Sequence, residues 1–153
     1  EQTTFHRVIK DPNLDLKNKD IKKVVISSGK VFYNLLEERD RRKLKNVKLL
    51  RLEQIYPFPA RTLKEELGKT PNAEIVWCQE EPKNMGAWFF VDRKIEDVLL
   101  SYKAKFSRPS YAGRLEAASP ATGSLSRHNR EQAQLIDLAL ETKDKNTSKQ
   151  AAE

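Results

Sequence analysis

The chain has 153 residues, a length that suits one domain with its own core, and no apolar run approaches the roughly 18 residues of a membrane span. Its composition, 38% hydrophobic and 33% charged, predicts a heavily solvated surface. The net charge of +7 raises the question of nucleic-acid binding, but the basic residues are interleaved with acids and no zinc-finger or aromatic–basic RNA signature occurs, so we expect no nucleic-acid partner.

Cysteine and histidine are scarce. Cys78 is the only cysteine, which excludes an internal disulfide and fits a reducing compartment. His6 and His128 are the only histidines and have no neighbouring motif, so neither a zinc site nor a Ser/His/Asp or Cys/His catalytic set is supported. The chain starts at Glu1, without a signal-peptide pattern and without a methionine, and we expect it to be a piece of a longer protein.

The first half of the chain alternates apolar runs with helical periodicity. Residues 5–9 predict a short strand, and residues 15–23 a loop or a loose helical turn. Residues 24–26 and 47–52 predict buried strands. Between these two strands, apolar residues at helical spacing predict a helix over residues 31–45.

The second half repeats this pattern. Pro59 is placed to start a helix that ends at Gly68, and residues 75–78 form a short apolar run typical of a strand buried on both faces. We predict that this strand stops at Gln79 and that Pro82 prevents its continuation. A helix over 91–102, a strand over 108–111, a small-residue loop over 113–123, a helix over 127–140 and a disordered tail over 142–153 complete the prediction.

Strands that alternate with helices predict a parallel sheet with right-handed crossovers. The loops at 27–30, 53–59 and 79–86 then all leave the carboxyl ends of parallel strands. They should meet along one edge of the sheet, where α/β domains bind ligands and partners.

Ser28, Gly29 and Lys30 lie in the first of these loops and open a helix. Free N–H groups at a helix start, with a lysine nearby, can hold a phosphate group. The sequence lacks the upstream glycine of a P-loop and the Ser or Thr that follows its lysine. A capping serine beside a closely packed glycine therefore remains the simpler explanation.

Glu80 and Glu81 are adjacent, so on extended backbone they point to opposite faces and suit paired acid/base catalysis poorly. A structural or interface role is favoured, with Arg51 and Lys83 as candidate partners. Cys78 is read as a small core residue rather than a nucleophile. For the aromatic residues Tyr56, Phe58, Trp88, Phe89 and Phe90, core packing and a subunit interface remain open alternatives.

Five motifs in order carry a resemblance to a known family. They are Val-Val-Ile-Ser-Ser-Gly-Lys-Val-Phe-Tyr (24–33), Leu-Arg-Leu-Glu-Gln-Ile-Tyr-Pro-Phe-Pro (50–59), Trp-Cys-Gln-Glu-Glu-Pro-Lys-Asn-Met-Gly-Ala-Trp (77–88), Arg-Pro-Ser-Tyr-Ala-Gly-Arg (108–114) and Ala-Ser-Pro-Ala-Thr-Gly (118–123). Together they resemble the C-terminal region of bacterial 2-oxoglutarate dehydrogenases, the thiamine-dependent decarboxylating components. The resemblance covers residues 5–140.

The resemblance implies a transketolase C-terminal-like fold over residues 1–141. This is a three-layer α/β domain whose five-stranded, mostly parallel sheet has one antiparallel edge strand. The strand at 5–9 should be that edge, beside the strand at 47–52, and the strand at 24–26 should lie between 47–52 and 75–78.

The resemblance also implies a division of labour. In this family thiamine diphosphate, magnesium and the 2-oxo acid bind in preceding domains, and the Gly-Asp-Gly metal motif is absent from this chain. We therefore expect no catalytic or metal-binding residue here and a cytoplasmic, bacterial parent enzyme. The expected partners are the preceding domains, a homodimer partner and the lipoyl-bearing acyltransferase component.

Two hypotheses of different classes follow. In the first, the chain is a scaffold and dimerisation domain, with Tyr56, Phe58, Glu80, Glu81, Asn84 and Trp88 as candidate interface residues. In the second, it is a regulatory module that binds an acyl-CoA or adenine-nucleotide effector. Its candidate contacts are Ser28, Gly29, Lys30, Arg51 and Lys83.

Overall fold

A computed structural model describes residues 4–13 and 17–142 of the chain. Five strands are described: β1 (Val8–Ile9), β2 (Lys23–Ser27), β3 (Val47–Leu52), β4 (Glu74–Pro82) and β5 (Ser110–Arg114). Four α-helices are described: α1 (Val31–Arg41), α2 (Ala60–Leu67), α3 (Trp88–Leu100) and α4 (Leu125–Leu140). A single 3-10 turn over Asn18–Asp20 occupies part of the predicted loop at 15–23.

The strands form one sheet in the order β1-β3-β2-β4-β5. Strand β2 pairs in parallel with β3 and β4, and β4 pairs in parallel with β5. Strand β1 pairs antiparallel with β3, with Val8 opposite Leu52 and Ile9 opposite Arg51. The implied fold class, the strand order and the antiparallel edge strand are thus confirmed.

Two cores lie on opposite faces of the sheet because strand side chains alternate between the faces. Val24, Ile26, Ile75 and Trp77 pack with α2 and α3, whereas Val25, Val76 and Cys78 pack with α1 and α4. Every residue of β2 is buried, which is why its centre, residues 24–26, is an unbroken apolar run rather than an alternating one. The result is a three-layer domain.

Strand β4 does not stop at Gln79, as the sequence predicted, but continues to Pro82. The register between β4 and β5 shifts between Cys78 and Pro82, where Pro82 lies opposite Arg114. This irregularity accommodates a proline that cannot donate a backbone hydrogen bond. The Lys83 N–H takes over and donates to the Arg114 carbonyl at 3.1 Å. The strand therefore carries Glu80 and Glu81 within the sheet rather than in a loop.

Helix α1 ends at Arg41, four residues earlier than predicted. Lys43 has a φ of 54°, and the N–H of Leu44 donates to the Arg39 carbonyl at 3.1 Å. This left-handed residue closes the helix in the way that glycine usually does. The sequence did not reveal this helix end, because the basic residues that follow Arg41 are found in helices as well as in loops.

Other boundaries also differ. Strand β1 has two residues instead of five, β5 covers 110–114 instead of 108–111, and α3 begins three residues early, at Trp88. Gly113, predicted to start a loop, lies in β5. Apart from Thr142, the predicted tail lies outside the described residues.

None of the described helices is long and apolar enough to cross a membrane.

Candidate functional site

The carboxyl ends of β2, β3, β4 and β5 lie on one side of the sheet, because these strands run parallel. We call this side the loop edge. It carries the turn after β2, the loop over 53–59, the loop over 83–87 and the loop over 115–124. The sequence predicted the convergence of the first three, since each follows a parallel strand.

Ser28, Gly29 and Lys30 form the tight turn between β2 and α1. Gly29 has a φ of 73°, a conformation that glycine adopts without strain, and it leads directly into the helix. The Lys30 side chain is exposed, and its Nζ lies 3.8 Å from Oε1 of Glu80. Glu80 therefore pairs with Lys30, and not with Arg51 or Lys83 as we expected.

Arg51 lies at the end of β3, over the start of α1. Its Nη1 donates to the hydroxyl oxygen of Tyr33 at 2.6 Å, and its Nε lies 2.7 Å from Oε1 of Glu53. The guanidinium carbon is 5.2 Å from the ring centres of both Phe32 and Tyr33. Such stacking and pairing occupy the guanidinium within the domain.

Lys83 lies on the β5 side of β4, where its Nζ is 5.8 Å from the ring centre of Tyr111. The structure thus places Lys30 and Arg51 beside α1 and Lys83 elsewhere. Both Lys30 and Arg51 already have carboxylate partners within this domain. The five candidate effector contacts therefore do not converge on one site. Of their three cations, two are already paired and the third lies elsewhere.

Gln79 organises the loop that leads from β4 into α3, a role that the sequence reading missed. Its side chain is buried, and its Oε1 accepts from the Trp77 indole N–H at 2.9 Å and from the Trp88 backbone N–H at 3.0 Å. Its Nε2 donates to the carbonyls of Met85 at 2.7 Å and Pro82 at 3.2 Å. One buried amide thus satisfies several polar groups of a tight connection.

Asn84 fixes the loop over 115–124, a further contact that sequence reasoning did not reveal. Its Nδ2 donates to the Ala117 carbonyl at 3.0 Å, and the Ala117 N–H donates to its Oδ1 at 3.1 Å. The side-chain amide therefore pairs with both backbone groups of one residue, as a neighbouring strand would. The loop is held to the end of β4 by this pair.

The aromatic residues divide into core and surface. Trp88 is buried, and its ring centre lies 5.2 Å from that of Tyr111, while Phe58 is half-buried against the core of α2 and α3. Tyr56 is 80% exposed and Phe89 63% exposed. The Tyr56 ring centre is 6.4 Å from that of the partly exposed Phe90. We call Tyr56, Phe89 and Phe90 the aromatic surface.

A cleft of about 820 Å³ opens between the loop over 115–124 and α4. Its inner wall carries Arg114, which is nearly buried. Arg114 Nη2 lies 2.9 Å from His128 Nδ1, and Arg114 Nε lies 3.4 Å from Glu131 Oε2. Hydrogen bonding from Arg127 at 2.6 Å, together with the nearby guanidinium charges, lowers the pKa of Glu131.

None of these arrangements forms a nucleophile activated by a base. The Cys78 thiol is buried, and burial together with the charge of Glu80 raises its pKa to about 12, so it is not a thiolate at neutral pH. Among residues 4–13 and 17–142, no group of three His, Cys, Asp or Glu side chains is placed to bind a metal ion.

Some of the missed residues left a signal in the sequence. Gln79 stands two residues after Trp77, so strand alternation places both side chains on the same buried face, and a buried amide needs polar partners. The contacts of Asn84, which the sequence had named only as an interface candidate, and of Arg114 left no such signal, because their partners are 33 and 14 residues away in the chain.

The fold defines a three-layer α/β domain with a five-stranded, mostly parallel sheet, consistent with the transketolase C-terminal type. The model of the family described as "2-oxoglutarate dehydrogenase C-terminal" matches residues 1–140. The chain belongs to this family, and the resemblance stated from its motifs is confirmed.

Several curated bacterial proteins are similar to the chain over most of its length. The 2-oxoglutarate dehydrogenase E1 components of Brucella anthropi, Brucella ovis and Brucella canis are each 50% identical to it over 147 residues. Each match covers 91% of this chain but only 15% of the relative. The chain thus corresponds to a small part of these proteins, and none of the comparisons supports the effector-binding alternative.

Proposed function

We propose that this chain is the C-terminal, non-catalytic domain of a bacterial 2-oxoglutarate dehydrogenase E1 component. The single observation that carries the proposal is the 50% identity to E1 components over 91% of the chain. The fold supports it, because the five-stranded sheet with its antiparallel edge strand is the architecture that the family resemblance implies.

The parent enzyme of this proposal decarboxylates 2-oxoglutarate and passes the succinyl group to a lipoyl group of the acyltransferase component, in the cytoplasm. Thiamine diphosphate with magnesium supplies that chemistry in the preceding domains. The present residues do not fit these groups, since the sequence has no Gly-Asp-Gly triplet and the described part has no cluster of metal-binding side chains. No chemical step is therefore assigned to this chain.

The role that we propose for this domain is structural: it supports the preceding domains and completes a homodimer. The aromatic surface supports such a role, because Tyr56 contacts Phe90 and both, like Phe89, are exposed, and exposed aromatic side chains are typical of protein interfaces. Trp88 and Phe58, which the sequence also suggested for the interface, pack instead into or against the core on the α2 and α3 face.

The decisive experiment isolates the native protein from its own cells with an antibody against this domain. We expect a band several times heavier than 17.7 kDa, together with 2-oxoglutarate-dependent reduction of ferricyanide that requires thiamine diphosphate. A native band near 17.7 kDa without this activity overturns the proposal.

A further inference from the structure

Positive charge is concentrated on the side of the sheet opposite the loop edge. The segments that lead into β2, β3, β4 and β5 are residues 17–22, 42–46, 68–73 and 101–109. Together they contain ten lysine or arginine residues and one acid, Asp20. The four segments of the loop edge contain two bases and two acids, Lys30, Lys83, Glu53 and Glu116. The fold therefore separates bases from acids that are interleaved along the sequence.

We call the side formed by the four lead-in segments the amino edge, and backbone hydrogen bonds join these segments. The Lys22 N–H donates to the Asn46 carbonyl at 2.9 Å, which connects the segments before β2 and β3. The Glu74 N–H donates to the Lys22 carbonyl at 2.8 Å, and the Lys105 N–H donates to the Pro71 carbonyl at 3.0 Å. The amino edge is thus one continuous surface, and its charges act on the same neighbour.

Many of these charges are not neutralised within the domain. Arg42 and Arg108 pair with carboxylates of α4 and α3, and Lys69 pairs with Glu66. Among residues 4–13 and 17–142, no carboxylate lies within ion-pair distance of six exposed lysines of the amino edge: Lys17, Lys19, Lys43, Lys45, Lys103 and Lys105. Such a group of unpaired lysines attracts an acidic partner.

The ends of the helices do not account for this surplus. Positive charge is favourable near the carboxyl end of a helix, but only within its last turn. Four of the six lysines lie beyond the last turn of any described α-helix: Lys17, Lys19, Lys45 and Lys105. Lys43 and Lys103 have φ values of 54° and 55°, a conformation that glycine adopts with less strain. Lysine therefore adds charge where the backbone itself favours a neutral glycine.

The type of basic residue indicates the kind of partner. The six unpaired residues are all lysines, whose flexible ammonium groups lack the fixed fork with which arginine binds phosphate groups. Charges of this kind speed the encounter with an oppositely charged protein and give a complex that salt weakens. An acidic protein surface is thus the occupant that the amino edge fits best.

The path of the chain favours a separate protein, an argument that rests on the proposed function. Because β1 is antiparallel to β3, residue 7 lies at the loop edge, where the Glu53 N–H donates to the Arg7 carbonyl at 2.9 Å. The preceding domains of the proposed parent enzyme therefore join this domain at the loop edge, and the amino edge is the opposite side of the sheet. A second copy is disfavoured, since a two-fold contact would bring the two sets of lysines together.

We propose that the amino edge docks an acidic surface of a separate protein, in a complex that depends on salt concentration. The first test is charge reversal in the full-length protein. The amino-edge variant replaces three unpaired lysines: Lys19→Glu, Lys45→Glu and Lys105→Glu. The control variant replaces three exposed basic residues elsewhere on the domain: Lys30→Glu, Lys94→Glu and Arg130→Glu. Both variants have the same net charge, so any difference between them reports position.

The probe is fluorescent poly-L-glutamate, and its anisotropy gives the dissociation constant. At about 50 mM salt, the amino-edge variant should bind the probe at least about tenfold more weakly than the native protein, and the control variant within about twofold. An equal loss in both variants overturns the inference, because the attraction then comes from total charge. A loss confined to duplex DNA or to phosphatidylserine vesicles, measured in parallel, also overturns it.

A second measurement identifies the partner in the protein's own cells. Benzoylphenylalanine replaces Lys45 in the full-length protein or, as a matched control, the exposed Lys94. We expect position 45 to crosslink to acidic segments of a separate protein, at least about tenfold more strongly than position 94 does. Crosslinks from position 45 that lie only within or between copies of this chain, that reach only nucleic acid, or that are no stronger than the control overturn the inference. A native mass of only 17.7 kDa contradicts the proposed function instead, and the charge-reversal test still decides the docking inference.

Discussion

The side-chain oxygen of Gln79 accepts a hydrogen bond from the backbone N–H of Trp88 at 3.0 Å, which ties the end of β4 to the first turn of α3. The same oxygen accepts the indole N–H of Trp77 at 2.9 Å. Both tryptophans of the chain are therefore bonded to one buried amide. A helix start normally has unpaired N–H groups, and Gln79 satisfies one of them from a neighbouring strand.

Gln79→Leu should destabilise the domain by at least about 2 kcal/mol, because each buried donor left without a partner costs about 1–3 kcal/mol. Urea unfolding followed by tryptophan fluorescence measures this loss. The native emission should also shift to the red as the loop opens to water. Gln134→Ala on the exposed face of α4 is the control and should change stability by less than about 0.5 kcal/mol. An equal effect of the two substitutions would contradict the assigned role.

Gly113→Ala should destabilise the domain by about 1–3 kcal/mol, the usual cost of overpacking. A β-carbon at this position meets the Tyr111 hydroxyl oxygen at 2.3 Å and the Gln79 carbonyl oxygen at 2.9 Å. The backbone carbonyl cannot move aside without breaking β4. Gly123→Ala is the matched control, since nothing lies within 4 Å of its β-carbon. Calorimetry that finds the same transition temperature for both variants would refute the packing argument.

Glu66 is a buried carboxylate surrounded by three lysines. Its Oε1 lies 2.7 Å from Lys69 Nζ and 3.1 Å from Lys10 Nζ, and its Oε2 lies 3.4 Å from the buried Lys48 Nζ. Glu66→Gln should cost about 3 kcal/mol, because Lys48 is left as a buried charge without its counter-ion. The adjacent Glu65→Gln removes only an exposed pair with Arg61 and should cost less than about 0.5 kcal/mol.

The same carboxylate predicts a dependence of stability on pH. Burial alone raises the pKa of Glu66, but the hydrogen bonds from Lys69 and Lys10 and the charge of Lys48 lower it below its usual 4.5. A lowered folded pKa stabilises the domain at pH values above 4.5, and this contribution is lost as the pH falls through the folded pKa. The stability difference between the native chain and Glu66→Gln should therefore shrink on acidification below pH 4.5. A difference that stays constant from pH 7 to pH 3 would argue against this linkage.

Cys78 should not react with a disulfide reagent such as Ellman's reagent while the domain is folded. The thiol is buried and its pKa is raised to about 12, so both access and thiolate formation are suppressed. Complete reaction of one thiol per chain should follow only after denaturation in guanidinium. Stoichiometric labelling of the native chain within seconds would show that the α1 and α4 core opens far more readily than its packing suggests.

In the parent E1 that we propose, Phe89→Asp should weaken the proposed homodimer, because the aromatic surface is the proposed contact with the second subunit. A central aromatic residue of an interface is worth about 2 kcal/mol or more, so we expect a rise of about 30-fold in the dimer dissociation constant by analytical ultracentrifugation. Leu100→Asp lies on the same helix at similar exposure and should leave the constant unchanged. Equal dissociation constants for native E1 and both variants would place the dimer contact elsewhere.

The cores of the central strands could be predicted from sequence because burial on both faces favours apolar residues, although β4 extends to Pro82, beyond its predicted end. The predicted strands at 24–26 and 47–52 coincide with β2 and β3 to within one residue at each end. The edge strands β1 and β5 were misplaced, since their limits depend on which residues of β3 and β4 they pair with. That register is a property of the assembled sheet.

In the candidate site, too, some features could be predicted from the sequence and others could not. The sequence located the loop edge, because parallel strands bring their carboxyl ends together whatever the loops contain. It did not predict that Glu80 pairs with Lys30, since both side chains had several possible partners at that edge. The Asn84–Ala117 pair joins residues 33 apart, and only the closed fold brings them into contact.

Asp11 gives the first strand a mechanical role that its two residues alone could not provide. Its carboxylate pairs with the buried Arg39 of α1 and accepts the Leu49 backbone N–H at 2.7 Å. A pulling force applied at residue 7 is thus transmitted into the middle of β3 and into α1, and does not simply peel away a two-residue strand. In the longer enzyme that we propose, a force from the preceding domains would therefore move this domain as one body instead of unravelling its edge.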